Sequence, residues 1–232
     1  MRSFFNSIPP VTKNLLIINV LMWFATIAIG INPETGSYRL VEWLGLHLFG
    51  ASKFNVAQLI TYMFLHDPSS FAHVFFNMFS VYMFGRTLEQ VWGSKRFLFY
   101  YITTGLGAGI IQEAAWFIEY GGYISQVVDV YGWQQASMAL NGLGTIGASG
   151  AVFGILLAFG MMFPNVPLYL MFVPVPIKAK WFVLGYGLIE LFLGVSATSD
   201  GIAHFAHLGG MLVGVLLILY WRKKGIGNGG YY

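Results

Sequence analysis

No cysteine occurs anywhere in the chain. That absence excludes a disulfide framework and a thiolate metal site, and it leaves the redox compartment unread. Charge is scarce as well: Asp, Glu, Lys and Arg make up 9% of the 232 residues, where a soluble domain carries about a quarter. No internal repeat and no heptad pattern is present. What the chain has instead is apolar. It is 57% hydrophobic, with a mean hydropathy of +0.68. Such a composition defines an all-α, polytopic membrane protein whose apolar surface faces lipid and other helices.

Six apolar segments are long enough to cross, or nearly cross, a hydrocarbon core of about 30 Å. They run over 14–31, 71–90, 97–118, 149–163, 181–195 and 203–221. Pro9 and Pro10 precede the first segment and Pro164 ends the fourth, as suits residues that cannot continue a helix. The first segment follows Arg2 and Lys13 but has no small-residue cleavage signature after it, so it is expected to be a retained helix. Residues 1–232 form one six-helix domain in this reading, with 225–232, which contains "GIGNGGYY", as a disordered tail.

Placing the N-terminus in the cytoplasm puts ten of the twelve basic residues inside: Arg2, Lys13, Arg86, Lys95, Arg96, Lys178, Lys180, Arg222, Lys223 and Lys224. Only Arg39 and Lys53 fall outside. This is a strong positive-inside bias. The net charge of +3 is therefore topological, and no nucleic-acid partner is expected. Two outer segments are long. Residues 32–70 include "NVAQLITYMFLH", too short to span and expected at the interface or buried within the loop. Residues 119–148, rich in Gly and Gln, are expected to be a second outer loop.

Polar groups recur at one depth. Spans two, four and six all descend from the outer side. Ser149 lies about 22 Å above Pro164, His207 about 22 Å above Arg222, and His73 about 20 Å above Arg86, at 1.5 Å per residue. Asn77 follows His73 one turn down on the same face. Groups so costly against lipid should face one another or a water-filled cavity. A serine there is activated only by a base, and neutral His207 is the candidate. The Ser149 N–H sits at a helix N-terminus, where free N–H groups and the dipole favour an oxyanion. His73 and Asn77 can add donors. No Asp or Glu is placed to orient His207, so a two-residue dyad is expected. Gly147 and Gly150 flank the serine and let the chain turn and pack closely around it.

At these residues the chain resembles the rhomboid family of intramembrane serine proteases. The likeness rests on "HVFFN" (His73 to Asn77), "GASG" (Gly147 to Gly150), "AHLGGMLVG" (Ala206 to Gly214) and "GRTLEQVWGS" (residues 85–94). It implies a serine endopeptidase that cleaves transmembrane segments of other membrane proteins without cofactor or metal, preferring a small residue before the scissile bond. It implies that Ser149 is the nucleophile, His207 the general base, and His73, Asn77 and the Ser149 N–H the oxyanion hole. Glu89 corresponds to a structural acid tying the inner end of the second helix to its loop. Gly210 and Gly214 form a G-x-x-x-G face, which in that family packs the sixth helix on the fourth. The expected location is a bacterial inner (cell) membrane, with cytoplasmic termini and a site open to the outer side.

Two positions depart from the family pattern. Phe153 stands where a Tyr often packs on the catalytic His, so ring stacking is kept without the phenol hydroxyl. Ala57-Gln58 stands where many members carry Trp-Arg in the first outer loop. The spacing from His66 to His73 is also longer than in familiar bacterial members.

Rival readings attach to the same residues. Ser149 can be a small packing residue, His207 a helix–helix contact, and His73 with Asn77 interhelical glue. His66, His73 and His204 invite a metal site, but no carboxylate or thiolate is evident beside them. His204 is expected near the outer mouth, in contact with water. Glu190, midway along the fifth span, is costly unless protonated or paired. A structural or lumen-facing role is expected for it, with substrate entry as the alternative. The rival functions are a catalytically silent rhomboid-like binder or chaperone of membrane helices, and a small transporter. The first would usually lack the serine or histidine; the second would show discontinuous half-helices in an inverted repeat.

Overall fold

The computed structural model describes residues 7–169, 175–196 and 203–225. The tail expected to be disordered lies outside the described residues apart from Gly225. The chain is mostly helical. Its helices are α1 (Pro10–Ile29), α2 (Arg39–Leu44), α3 (Gln58–Thr61), α4 (Phe71–Ser80), α5 (Arg86–Trp92), α6 (Ser94–Ala139), α7 (Ser149–Met162), α8 (Ala179–Val195) and α9 (His204–Lys223). A π-helical turn over Val81–Gly85 joins α4 to α5, so 71–92 is one helical rod. Two-residue strands β1 (Leu46–His47) and β2 (Gly144–Thr145) pair antiparallel, as do β3 (Pro167–Leu168) and β4 (Ile177–Lys178).

Helix ends follow local chemistry. Pro10 opens α1, which closes at Gly30 in a positive-φ conformation (φ 75°). Ser70 caps α4 by accepting the His73 N–H at 3.3 Å, an N-cap bond that satisfies one free amide. Gly93 (φ 79°) breaks α5 from α6. The segment expected to be a second outer loop is instead helical as far as Ala139, with one break at Gly132 (φ 80°). The chain has no proline between Pro68 and Pro164, so nothing obliges the third helix to stop where its apolar run ends.

Helix α7 is central. Gly150 through Leu156, Ala158 through Gly160 and Met162 are all buried, and α4 with its π-turn, α6, α8 and α9 pack around it. The outer helices turn apolar side chains outward: Leu21 and Phe24 on α1, Phe76 on α4 and Phe192 on α8 are all exposed. A buried central helix ringed by outward-facing hydrophobics fits a lipid surround. Pro10–Ile29 and His204–Lys223 are each long and apolar enough to cross a membrane.

The segment between α1 and α4 folds into the protein. Tyr62, Met63, Leu65 and His66 are buried. Gln58, at the position of the family's arginine, serves as an internal anchor. Its Nε2 donates to the carbonyls of Trp43 (3.2 Å) and Lys53 (2.9 Å). Its Oε1 accepts the N–H groups of His47 (3.3 Å) and Asn55 (3.2 Å). The buried carboxamide is thus satisfied by four bonds, near its full capacity.

Candidate active site

The turn into α7 is clamped from outside. The pairing of β1 with β2 holds residues 144–145, and Gly147 N donates to the Tyr62 carbonyl at 3.0 Å. Gly147 has φ 134°, a conformation that favours glycine. Ser149 then stands in the first turn of α7, half-buried, with its N–H among those that have no intrahelical partner.

Small residues bring α9 against α7. A side chain at Gly210 would overlap the carbonyl oxygen of Gly150, and one at Gly214 would overlap the Tyr100 hydroxyl. That hydroxyl donates to the Gly154 carbonyl at 2.8 Å. A Cβ at Gly150 would press into Ala108 of α6. Gln112 of α6 accepts the Ala206 N–H at 3.1 Å and so fixes the first turn of α9. The result is direct contact between the two candidate residues: His207 Nε2 lies 2.8 Å from Ser149 Oγ. Phe153, one turn along α7, lies flat on the imidazole.

His73 Nδ1 accepts the Asp67 N–H at 3.2 Å. A neutral ring must then carry its proton on Nε2. The space at Gly147 where a Cβ would sit is 3.0 Å from His73 Nε2 and 3.5 Å from Ser149 Oγ. A glycine leaves that space open, with a donor and the hydroxyl on its border. Asn77 is buried and donates from Nδ2 to the His73 carbonyl at 2.9 Å, leaving its second N–H. His66 packs edge-on to His73, ring centroids 5.0 Å apart. Burial in the segment between α1 and α4 pushes its pKa down to about 3, so it is a neutral ring at ordinary pH.

Two expectations fail here. An acid does face His207: Glu190 Oε2 of α8 lies 2.8 Å from His207 Nδ1. The same oxygen lies 2.7 Å from His204 Nδ1. His204 is 5% exposed and Glu190 4%, so His204 is part of the interior and not of a watery mouth. The reason is helical spacing. His204 and His207 are three residues apart and share one face of α9, and a buried carboxylate draws both.

Among the described residues, the histidine and carboxylate donors that cluster are Glu190, His204 and His207, not His66, His73 and His204. Zinc ligands about 2.0 Å from a tetrahedral ion stand about 3.3 Å apart. Contacts of 2.7 and 2.8 Å are hydrogen-bond lengths instead.

Glu89 does more than tie a loop. It accepts Ser94 Oγ at 2.7 Å, as a loop tie would, and also the N–H groups of Val11 (2.9 Å) and Thr12 (2.7 Å) and Thr12 Oγ1 (2.7 Å). It therefore caps α1, which has no side-chain cap of its own.

The Rhomboid domain family model matches residues 53–224, and the chain belongs to the rhomboid family. That family comprises intramembrane serine proteases and inactive relatives, and membership makes this an integral membrane protein. The chain is similar to Rhomboid protein 1, mitochondrial, of Saccharomyces cerevisiae, with 28% identity over 153 residues, 66% of this chain and 39% of that protein. It is similar to Rhomboid-like protein 11, chloroplastic, of Arabidopsis thaliana, with 25% identity over 227 residues, 88% of this chain and 66% of that protein. The chain thus spans less than two thirds of the length of either. Both names place those proteins in organelles, and neither supports the bacterial cell membrane read from the sequence.

Proposed function

We propose that this protein is an intramembrane serine endopeptidase acting on transmembrane segments of other membrane proteins. The observation that carries the reading is the 2.8 Å contact between Ser149 Oγ and His207 Nε2 at the N-terminus of a buried helix. Ser149 Oγ–H donates to His207 Nε2. As the Oγ–carbon bond forms, the proton moves to Nε2. The negative charge passes to the substrate carbonyl oxygen, beside Gly147. The His73 Nε2–H, the second Asn77 N–H and the Ser149 N–H stabilise it there. The scissile C–N bond then breaks, and the leaving amine takes the proton from His207. Water repeats the cycle on the acyl-enzyme.

No cofactor or metal enters this chemistry. Six helical elements cross the membrane in this reading: α1, the 71–92 rod, α6, α7, α8 and α9, with both termini on the cytoplasmic side. The distribution of basic residues supports that orientation. A preference for a small residue before the scissile bond is what the family resemblance implies. Substrate helices that unwind readily should be preferred, because a helical amide is shielded and already hydrogen-bonded.

The test is co-reconstitution with a tagged single-span protein whose membrane segment contains small and helix-breaking residues. Cleavage by the native chain, lost in Ser149→Ala and His207→Ala, is expected. Capture of that segment without cleavage by the native chain would replace the protease with a silent binder of membrane helices.

A further inference from the structure

We propose that Glu190 is the positioning residue of His207, and that His204 fastens the same carboxylate. The site is then a line of three side chains from three helices: Ser149 on α7, His207 on α9 and Glu190 on α8. The inference rests on the serine-protease reading above and adds the group that prepares its base.

An ionised carboxylate only accepts hydrogen bonds. Glu190 Oε2 lies at hydrogen-bond distance from the Nδ1 atoms of both His204 and His207; with Glu190 ionised in this pairing, each Nδ1 carries a proton. A neutral His207 protonated on Nδ1 has its lone pair on Nε2, the nitrogen that faces Ser149 Oγ. The opposite tautomer would present an N–H to the hydroxyl and could not accept its proton. Glu190 therefore selects the competent tautomer and fixes the rotation of the ring, while Phe153 covers one face.

Charge makes the same point. When the Ser149 proton moves to Nε2, the ring becomes a cation. Glu190 lies 2.8 Å from its far nitrogen, in surroundings that screen charge poorly. The Nδ1 proton stays on Nδ1 and Glu190 stays anionic, so the step is balanced without transfer to the carboxylate.

A purely structural pairing of Glu190 would be met by His204 alone. Sharing the oxygen with the nitrogen of His207 opposite to the serine is what positioning requires. His204 gives the carboxylate a second donor that does not depend on the catalytic cycle. It keeps the oxygen in place when the His207 ring moves.

The test compares purified native protein with Glu190→Gln, Glu190→Asp and His207→Ala, using a fluorophosphonate that reacts at Ser149. Glu190→Gln is expected to lower the maximal labelling rate about 100-fold or more. The half-saturating probe concentration and the thermal midpoint should stay close to native, and Glu190→Asp should recover part of the rate. A Glu190→Gln protein that labels at the native rate overturns the proposal.

Nitrogen-15 NMR of the histidine rings in the native protein tests it without that variant, the His207 signals being those lost in His207→Ala. A proton on Nδ1 of His207 is expected; a proton on Nε2 alone overturns the proposal. A native protein that never labels, yet shows the Nδ1 proton, speaks against the protease and leaves the positioning intact. The two failures are therefore separable.

Discussion

Phe153 and His207 lie face to face, their ring centroids 4.2 Å apart and their planes 8° from parallel. The stack leaves the imidazole little freedom to tip away from Ser149. Phe153→Ala removes it, and aromatic contacts of this kind contribute about 0.5–1.5 kcal/mol. Turnover should fall by about two- to thirteenfold, and Phe153→Tyr should stay close to native. Unchanged turnover in Phe153→Ala, measured on the reconstituted substrate, would remove the stack from the account.

His73 borders the open space at Gly147 and does not bind substrate elsewhere in this account. His73→Ala should lower kcat by about 100-fold, the usual scale for losing an oxyanion donor, with little change in KM. A rise in KM at constant kcat would show that it only binds substrate.

Helix α9 can reach Ser149 only because Gly210 sits on the Gly150 carbonyl. Gly210→Val should separate α7 from α9, since forcing bulk into a packed contact costs about 1–3 kcal/mol or more. Both the thermal midpoint and labelling at Ser149 should drop together. A native midpoint with native labelling would mean that the helices tolerate a wider spacing.

Glu89 closes the N-terminal end of α1 with bonds from Val11, Thr12 and Ser94. Hydrogen bonds to a charged group contribute about 1.5–3 kcal/mol each. Glu89→Ala should therefore lower the unfolding midpoint well below native, while the surviving folded protein keeps its labelling rate. Early proteolysis near residue 10 would report the loss of the cap.

Acid should loosen the segment between α1 and α4 in two stages. His66 has a pKa lowered by burial from 6.5 to about 3. The unfolded chain thus binds its proton first, and stability is lost as pH falls from about 6.5 toward 3. Glu42 is held at about 2, below its ordinary 4.5, chiefly by its hydrogen bond to Lys53 at 2.6 Å. Its contribution is complete above pH 4.5 and disappears as pH falls through 2. Glu42→Gln should abolish the lower stage and leave the upper one, as measured by thermal midpoints from pH 7 to 2.

Much of the candidate site was legible in the sequence because membrane depth can be counted in residues. That count aligns Ser149, His207 and His73, and the structure brings His207 into contact with the serine and His73 Nε2 to the space at Gly147 beside it. For Glu190 the sequence supports a structural or lumen-facing role, with substrate entry as the alternative, and no link to His207. The same count puts Glu190 about 18 Å above Lys178, near the level of His207. Its bearing on His207 stayed hidden because residue counting gives depth and not the face a helix turns to its neighbour. The roles of Gln58 and Gln112 are hidden for a similar reason, since each satisfies backbone groups of other elements that only the fold brings to it. The long continuation of α6 to Ala139 was missed because hydropathy marks where a helix leaves the apolar layer, not where it ends.

The most direct measurement is covalent. Purified native protein is treated with a fluorophosphonate, digested and read by mass spectrometry, beside folded Ser149→Ala and His207→Ala proteins. The account predicts an adduct on Ser149 in the native chain and none in either variant. An unmodified Ser149 in the native chain, under conditions where a control serine protease is fully labelled, would contradict it.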